Sequence, residues 1–495
     1  MRSAAGREER HLARVLVAFW ALLLLSYRNS SLNFGGDAGD WIQISEAPLG
    51  SLAFWTYRPW GTSLVYKVLG SNPWAILPFQ VFLHGLSFSL LAVALRRHMR
   101  TAWGKALALA AALGMGLSLE LLLWPFTILS ESLCNSLSVL LLAWFLWNLP
   151  PEEGGPAPLL RPAPLAALLG LAVLWSATRD TNPYTLLALG TALAAGLLQG
   201  AFRRAVGLSR GAAVAAVLLA AALLQIGLAG RTTRNAWNYS LTDTVCDRIL
   251  PDPEALAFFR EEGMPVSPLL MSFAGRHNAY MANAVSPVSD EALRDRAFEA
   301  WVKERGLRAY VRFLLRHPGK AAQWLWGARG NLFSPSLRTV AQVGPFLMVH
   351  QRENGRRVRV DPLLSRGTLP GDWPGSRAAA FFFFPRWKEF WLPALLVACL
   401  PLLWLRGRRA AALVLLPAVL GGVSLLQAAV VGLADPCEMD RHAVHLALTL
   451  RLGFFFLALA LLLDAWAEGS ALPRKLAEWG KMPVGEWPRG RRGGG

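Results

Sequence analysis

Residues 12–45 read LARVLVAFWALLLLSYRNSSLNFGGDAGDWIQIS, an apolar run followed at once by a short acidic motif. The run at 12–27 is long enough to cross the hydrocarbon core of a bilayer as a helix. The motif, GDAGDW, places Asp37 and Asp40 just where that run ends. A carboxylate near membrane depth is costly, so this pair is a candidate functional site.

The same apolar pattern recurs along the chain. The protein has 495 residues, 54% of them hydrophobic, and contains 21 tryptophans, a composition typical of a polytopic membrane protein. The sequence therefore predicts an all-α polytopic membrane protein with about ten transmembrane helices. The runs that predict them are 12–27, 73–95, 104–124, 126–148, 163–178, 183–200, 211–230, 389–405, 409–433 and 443–465.

Basic residues set the expected orientation. The net charge is +18, and the basic clusters fall at the two termini or in every second gap between spans. By the positive-inside rule, both termini and those gaps are expected in the cytoplasm. The clusters also suit contact with anionic membrane lipids, and no nucleic-acid partner is expected. They lie at 2–14, 96–105, 203–210, 406–409 and 474–492.

Three blocks follow from this topology. Residues 1–230 form a membrane module with a first outer loop at 28–72, and residues 389–495 form C-terminal transmembrane helices with a basic cytoplasmic tail. Between them, 231–388 has no spanning run and is expected to be a mixed extracytoplasmic insertion. Its stretch 306–333 interleaves basic with apolar and aromatic residues, which predicts amphipathic helices on the membrane surface, interrupted at Pro318.

Ionisable residues occur at five places on the predicted outer side. They are functional candidates, because an ionisable side chain at or near membrane depth is energetically costly. Each also has a structural interpretation as a loop residue at the water boundary, and an acid at Glu131 suits the positive end of a helix dipole. The candidates are Asp37 and Asp40, Arg58 in YRPW, Glu120 with Glu131 in TILSES, Arg179 with Asp180, and Asp435, Glu438, Asp440, Arg441 and His442 at the start of the last span.

These residue types supply two kinds of chemistry. A carboxylate can act as a general base on a hydroxyl or hold a divalent cation. Arginine and histidine side chains can bind a phosphate, because the guanidinium fork matches phosphate oxygens. A base beside a phosphate-binding group at a membrane surface suits transfer of a group from a lipid phosphate.

GDAGDW, YRPW and TILSESL together resemble motifs of the GT-C superfamily of integral-membrane glycosyltransferases, in the branch of protein mannosyltransferases and lipid A-modifying enzymes. In that branch an acidic motif of the form Asp-x-x-x-[Tyr/Trp] opens the first outer loop, which matches Asp37 and Trp41 here. TILSESL resembles a Ser-Glu opening of the fourth span, and DRHAVHLAL at 440–448 resembles the start of a late span.

The resemblance implies a sugar donor linked to polyprenyl phosphate, used on the extracytoplasmic face with inversion. By this implication Asp37 is the base, with Asp40 as the alternative, and Glu131 orients an arginine or the acceptor. The phosphate candidates are Arg58, Arg179, Arg441 and His442. The acceptor, a glycan, lipid or protein, stays open, and so does a divalent cation, because the adjacent Asp-Glu pair of several relatives is missing.

Two other classes of function remain as alternatives. A transporter or flippase for a lipid-linked anion would also explain the outer arginines, and a non-catalytic membrane scaffold would explain the insertion. The high Ala, Leu, Arg, Gly and Pro content favours a bacterial source, and so the inner membrane. Cys246 and Cys437 are both expected outside, where a disulfide between them is an open alternative.

Overall fold

Helices form almost all of the regular structure in the computed structural model. It describes residues 2–28, 33–34, 38–56, 58–99, 101–148, 162–198, 208–229, 233–276, 292–333, 374–383, 422, 424–433, 448–449 and 451. In the first block the helices are α1 Arg2–Arg28, α2 Ala38–Glu46, α3 Leu52–Thr56, α4 Trp60–Val68, α5 Pro73–His98, α6 Ala102–Gly116, α7 Leu119–Leu122, α8 Ser130–Asn148, α9 Pro162–Ser176, α10 Asn182–Gly196 and α11 Leu208–Ala229. The all-α expectation is confirmed for these residues.

The later helices include two π-helical turns that continue α-helices. The bounds are α12 Thr233–Thr244, the first π-turn Val245–Ile249, α13 Pro253–Glu261, α14 Pro268–Met271, α15 Arg296–Trp301, the second π-turn Val302–Gly306, α16 Leu307–Arg316, α17 Pro318–Phe333, α18 Pro374–Phe383 and α19 Ser424–Leu433. The predicted interruption at Pro318 is confirmed, because α16 ends at Arg316 and α17 begins at Pro318.

Four helices of the described chain are long and apolar enough to cross a membrane, at Glu8–Tyr27, Pro73–His98, Ser130–Asn148 and Gly211–Leu228. The predicted count of about ten is therefore not confirmed. The run at 104–124 is not one helix, because α6 ends at Gly116 and the short α7 follows. Two glycines close to Ser118 weaken the helix at this point. The run at 389–405 lies outside the described residues.

α5 lies at the centre of the first block and packs against α8 and α6. Phe88, Leu91 and Leu95 of α5 are among the buried residues of this core. At one end of the bundle, Glu8 forms two ion pairs: Arg96 Nη2 and Lys105 Nζ each lie 2.9 Å from its Oε1. Two of the segments that the sequence assigns to the cytoplasmic side, 2–14 and 96–105, thus meet at this end.

A two-residue parallel pairing forms at the opposite end of the bundle. β1, Asn33–Phe34, pairs with β2, Thr127–Ile128. This pairing, which the sequence did not predict, places the segment after α1 directly beside the start of α8. The acidic motif and the TILSES motif are separated by nearly ninety residues, and this contact brings their flanks together.

The helices from α12 to α17 enclose a second hydrophobic core, which includes Phe259, Phe298 and Phe313. Cys246, in the first π-turn, is buried in this core as a free thiol. The alternative of a disulfide at Cys246 is therefore wrong. Burial, with the nearby carboxylates of Asp243 and Asp247, raises the pKa of this thiol to about 12, so it stays protonated and unreactive.

α19 connects the second core to the first block. Its last carbonyl oxygens accept hydrogen bonds from Arg248 Nη1, at 2.7 Å from Gly432 O, and from Tyr310 OH, at 2.6 Å from Leu433 O. On its other side, Gln427 Nε2 donates to Thr185 Oγ1 of α10 at 3.2 Å. Polar contacts therefore join all three blocks of the chain through one helix.

Asp252→Ala should destabilise the second core by about 1–2 kcal/mol, because Asp252 caps α13. Its carboxylate accepts from the backbone N–H groups of Glu254 and Ala255 and pairs with Lys320 of α17. Thermal unfolding in detergent measures the loss. Glu304→Ala, at an exposed residue of the second π-turn, is the matched control and should leave the melting temperature unchanged.

The difference in stability between wild type and Asp252→Ala should depend on pH in a defined direction. Partial burial would raise the pKa of Asp252, but the hydrogen bond from Lys320 and the two backbone N–H groups outweigh it and hold the pKa below its ordinary value. The stabilisation is therefore complete above the ordinary pKa of about 3.9 and is lost as the pH falls through the lower folded value. A difference between wild type and Asp252→Ala that shrinks already between pH 7 and 5 would contradict this assignment.

Candidate functional site

Asp40 and Arg58 come together at the end of the bundle that bears the β1–β2 pairing. Asp40 lies in the first turn of α2, and Arg58 immediately precedes Pro59 and α4. Arg58 Nη2 lies 2.9 Å from Asp40 Oδ2, and both side chains are partly exposed. The guanidinium carbon also lies 5.8 Å from the centre of the Trp41 ring, within range of a cation–π contact. Asp40 and Trp41 of GDAGDW thus both contact Arg58 of YRPW.

Glu131 and Arg179 form a second, buried pair. Glu131 lies in the first turn of α8 and is 1% exposed, and Arg179, in the turn between α9 and α10, is 9% exposed. Arg179 Nη1 lies 3.4 Å from Glu131 Oε1, but neither atom makes a hydrogen bond. Ser130 Oγ donates to the other carboxylate oxygen, Glu131 Oε2, at 3.2 Å. A buried ion pair is often no more stabilising than apolar residues of similar volume, which favours a functional role for this one.

Gly61 connects the two pairs. Its backbone N–H donates to Ala177 O at 2.8 Å, so the first turn of α4, beside Arg58, touches the segment that leads to Arg179. A Cβ atom at Gly61 would lie 2.8 Å from the same carbonyl oxygen, and only glycine allows this approach. The segments of Arg58 and Arg179 are therefore neighbours, as expected if the outer-side candidates share one site.

Asn182 fixes the Arg179 turn against α8. Its Nδ2 donates to Trp175 O at 2.9 Å and to Thr178 Oγ1 at 3.2 Å, and it lies 3.3 Å from Cys134 Sγ. Cys134 follows Glu131 by about one helical turn. This network holds the turn in place on the helix that presents Glu131.

Tyr66 fixes α4 against the start of α8 in the same way. Its hydroxyl donates to Leu129 O at 3.2 Å and accepts from Gln80 Nε2 at 2.8 Å. Burial raises the pKa of Tyr66, and the nearby Glu131 carboxylate raises it further, so the phenol stays neutral. Glu131, at the start of α8, therefore lies close to both α4 and the Arg179 turn.

The helices around Glu131 bear buried polar atoms that make no hydrogen bond anywhere in the described chain. Such atoms are rare in folded proteins, and each requires an explanation such as an absent ligand or water. They are Thr62 Oγ1 and Ser63 Oγ on α4, Ser132 Oγ and both amide atoms of Asn135 on α8, and Asn182 Oδ1. This end of the bundle can therefore donate to and accept from a polar ligand.

Asp40, Arg58, Glu131 and Arg179 are brought to one end of the bundle, as the sequence predicts. Asp37, Arg441 and His442 lie outside the described residues. Within the described ranges, no three His, Cys, Asp or Glu side chains are grouped so that they could hold a metal ion.

The uncharged side chains near Glu131 were not predicted from the sequence. Asn135 follows Glu131 by four residues in SESLCN, and this helical spacing could have identified it. Arg451, in the run at 443–465, was not predicted either. This residue is buried and interacts electrostatically with Glu120 of α7. Arg451 is a further buried cation on the side of α7.

Comparisons with known proteins give little more. No protein-family model matches the chain, and no curated protein matches it. A solved structure that does match is the crystal structure of ArnT from Cupriavidus metallidurans bound to undecaprenyl phosphate, 14% identical, over 95% of this chain and 80% of that one, with a TM-score of 0.29. A likeness of this extent carries no argument about fold or function.

Gly61→Ala should separate α4 from the Arg179 turn. The added methyl group would lie within 2.9 Å of three atoms of Ala177, so the backbone has to shift, at a cost of about 1–3 kcal/mol. Thermal unfolding in detergent measures this. Gly170→Ala on α9 is the matched control: its Cβ meets nothing within 4 Å, and the change should be neutral or slightly stabilising. Equal melting temperatures for the two variants would contradict the close approach.

Proposed function

We propose that this protein is an integral-membrane glycosyltransferase of the GT-C type. It transfers a sugar, a hexose or pentose, from a polyprenyl-phosphate-linked donor to an acceptor hydroxyl on the extracytoplasmic face, with inversion at the anomeric carbon. The observation that supports this most is the convergence of the Asp40–Arg58 and Glu131–Arg179 pairs at one end of the bundle through the Gly61–Ala177 contact.

Arg179 is the proposed phosphate ligand. It is buried, its Nη1 makes no hydrogen bond, and its contact with Glu131 at 3.4 Å is loose enough to give way to an anion. Arg58 is the weaker candidate, since its Nη2 already lies 2.9 Å from Asp40. In this assignment Glu131 orients the Arg179 guanidinium until the lipid phosphate arrives.

Asp37 is the proposed general base. It directly precedes Ala38, where α2 begins, and matches the motif acid of the resemblance. Asp40, the alternative, has one carboxylate oxygen engaged by Arg58 and would have to give up this contact to accept a proton. Asp40 and Arg58 therefore hold the start of α2 against α4, while Asp37 takes the proton from the acceptor hydroxyl.

Arg441 and His442 are proposed as further cationic groups for the lipid phosphate. The acceptor is a glycan, a lipid or a protein, and a divalent cation held by the outer carboxylates stays open. The proposed location is a bacterial inner membrane, with both termini in the cytoplasm and the site at the outer face. Membrane lipids are the remaining partners, and no nucleic acid is involved.

The insertion is proposed to rest on the outer membrane surface through α16. Leu307, Val311 and Leu315 of this helix are exposed and form one stripe at a spacing of four residues. Arg308 and Arg316, also exposed, lie beside it. An apolar stripe next to basic residues is the pattern of a helix that lies in the headgroup region of a bilayer.

Asp37→Asn should lower the turnover number by about 10²–10⁴-fold with little change in donor affinity, because it removes only the base. Asp40→Asn should lower the turnover number by a smaller factor, because it loosens the contact with Arg58 that holds the start of α2, and so Asp37, in place. Transfer is measured with the reconstituted protein, polyprenyl-phosphate-linked hexoses and pentoses, and envelope glycan and lipid acceptors. Gln43→Ala, at an exposed residue of the same helix, is the control and should retain full activity.

Unchanged turnover in both Asp37→Asn and Asp40→Asn would remove the acidic motif from the mechanism. A wild-type protein that moves the intact lipid-linked sugar across the bilayer without transferring it would support the transporter alternative instead.

A further inference from the structure

Asn135 lies on the same side of α8 as Glu131, one turn further from the outer end. Residues four apart lie one above the other on a helix, at an axial distance of about 6 Å. Glu131 contacts Arg179, and Cys134, next to Asn135, contacts Asn182. The Asn135 side chain thus belongs to the part of α8 that adjoins the proposed phosphate site.

The amide group of Asn135 has no partner for either of its polar atoms. The residue is 5% exposed, and both Nδ2 and Oδ1 are buried without a hydrogen bond in the described chain. Leaving a buried amide unsatisfied costs about 1–3 kcal/mol per group, and an apolar residue of the same shape would avoid this cost. Asparagine at this position therefore weakens the empty protein.

Two neighbouring polar atoms are likewise buried without a hydrogen-bond partner. Ser132 Oγ, three residues before Asn135 on α8, is buried and unpartnered. Asn182 Oδ1, on the residue whose amide nitrogen contacts Cys134, is also buried without a partner. Together, Asn135, Ser132 and Asn182 offer both donors and acceptors within about one turn of the Glu131–Arg179 pair.

We infer that Asn135, with Ser132 and Asn182, forms the subsite that binds hydroxyl groups of the donor sugar. A sugar hydroxyl both donates and accepts, so it matches an amide that offers one group of each kind. The sugar of a lipid-phosphate donor is bonded directly to the phosphate, so its hydroxyls come within reach of Asn135 when Arg179 holds that phosphate. This inference rests on the proposed function and adds to it the residues that recognise the sugar.

The test compares two ligands rather than one. Purified protein is titrated with polyprenyl phosphate alone and with polyprenyl phosphate bearing a hexose or a pentose, and native mass spectrometry gives the two affinities. In the wild type, at least one lipid-linked sugar should bind more tightly than bare polyprenyl phosphate. Asn135→Leu should abolish most of this gain, about five- to tenfold, and leave the affinity for bare polyprenyl phosphate unchanged.

Thermal stability separates this role from a structural one. Asn135→Leu should keep or raise the melting temperature, because it removes an unsatisfied amide. Asn148→Leu is the matched control: Asn148 is buried on the same helix, but its Nδ2 donates to Trp144 O at 2.8 Å, at the opposite end of α8. That variant should lose stability and retain the full gain from the sugar.

Three results would overturn the subsite. Asn135→Leu could keep the wild-type gain from the sugar, it could lower the melting temperature as Asn148→Leu does, or the wild type could bind no lipid-linked sugar more tightly than polyprenyl phosphate. The last result would contradict the sugar subsite but not the proposed phosphate site. A wild type that binds neither ligand would instead reject the proposed function itself.

Discussion

The buried ion pair of Glu131 and Arg179 is the interaction on which the end of the bundle with the β1–β2 pairing depends. A charge withdrawn from water is costly, and the attraction within a buried ion pair often does not recover that cost. The surrounding helices must therefore hold both residues in place. They do so through the Asn182 network on one side and through Tyr66 and Gln80 on the other.

Contacts between segments that are distant in sequence complete the surroundings of this pair. The β1–β2 pairing brings the segment after α1 to the start of α8, and the contact of Gly61 with Ala177 brings the Arg58 segment to the Arg179 turn. α19 then joins α10 to the helices of the second core by hydrogen bonds at both of its sides. The cost of the ion pair and of the unsatisfied amide at Asn135 is offset by apolar packing elsewhere, the pattern expected of a functional site.

The sequence pointed to four charged residues that the structure brings to one end of the bundle, but to little of the polar surroundings of these residues. The apolar runs and basic clusters gave a topology, and this topology placed Asp40, Arg58, Glu131 and Arg179 on one side of the membrane. Such a prediction needs only the hydrophobicity and charge of each segment. The Gly61–Ala177 contact joins segments more than a hundred residues apart, and no local pattern encodes it. The span count went further than the structure supports, since an apolar run such as 104–124 does not show where a helix ends.

Binding of polyprenyl phosphate to two variants tests the central claim most directly. Glu131→Gln removes the ion pair but keeps the arginine, and Glu131→Gln with Arg179→Met removes both charges without leaving either one buried alone. By native mass spectrometry, the single variant should bind polyprenyl phosphate at least as tightly as wild type, and the double variant about 10-fold or more weakly. Equal affinities in the two variants would show that Arg179 does not hold the lipid phosphate.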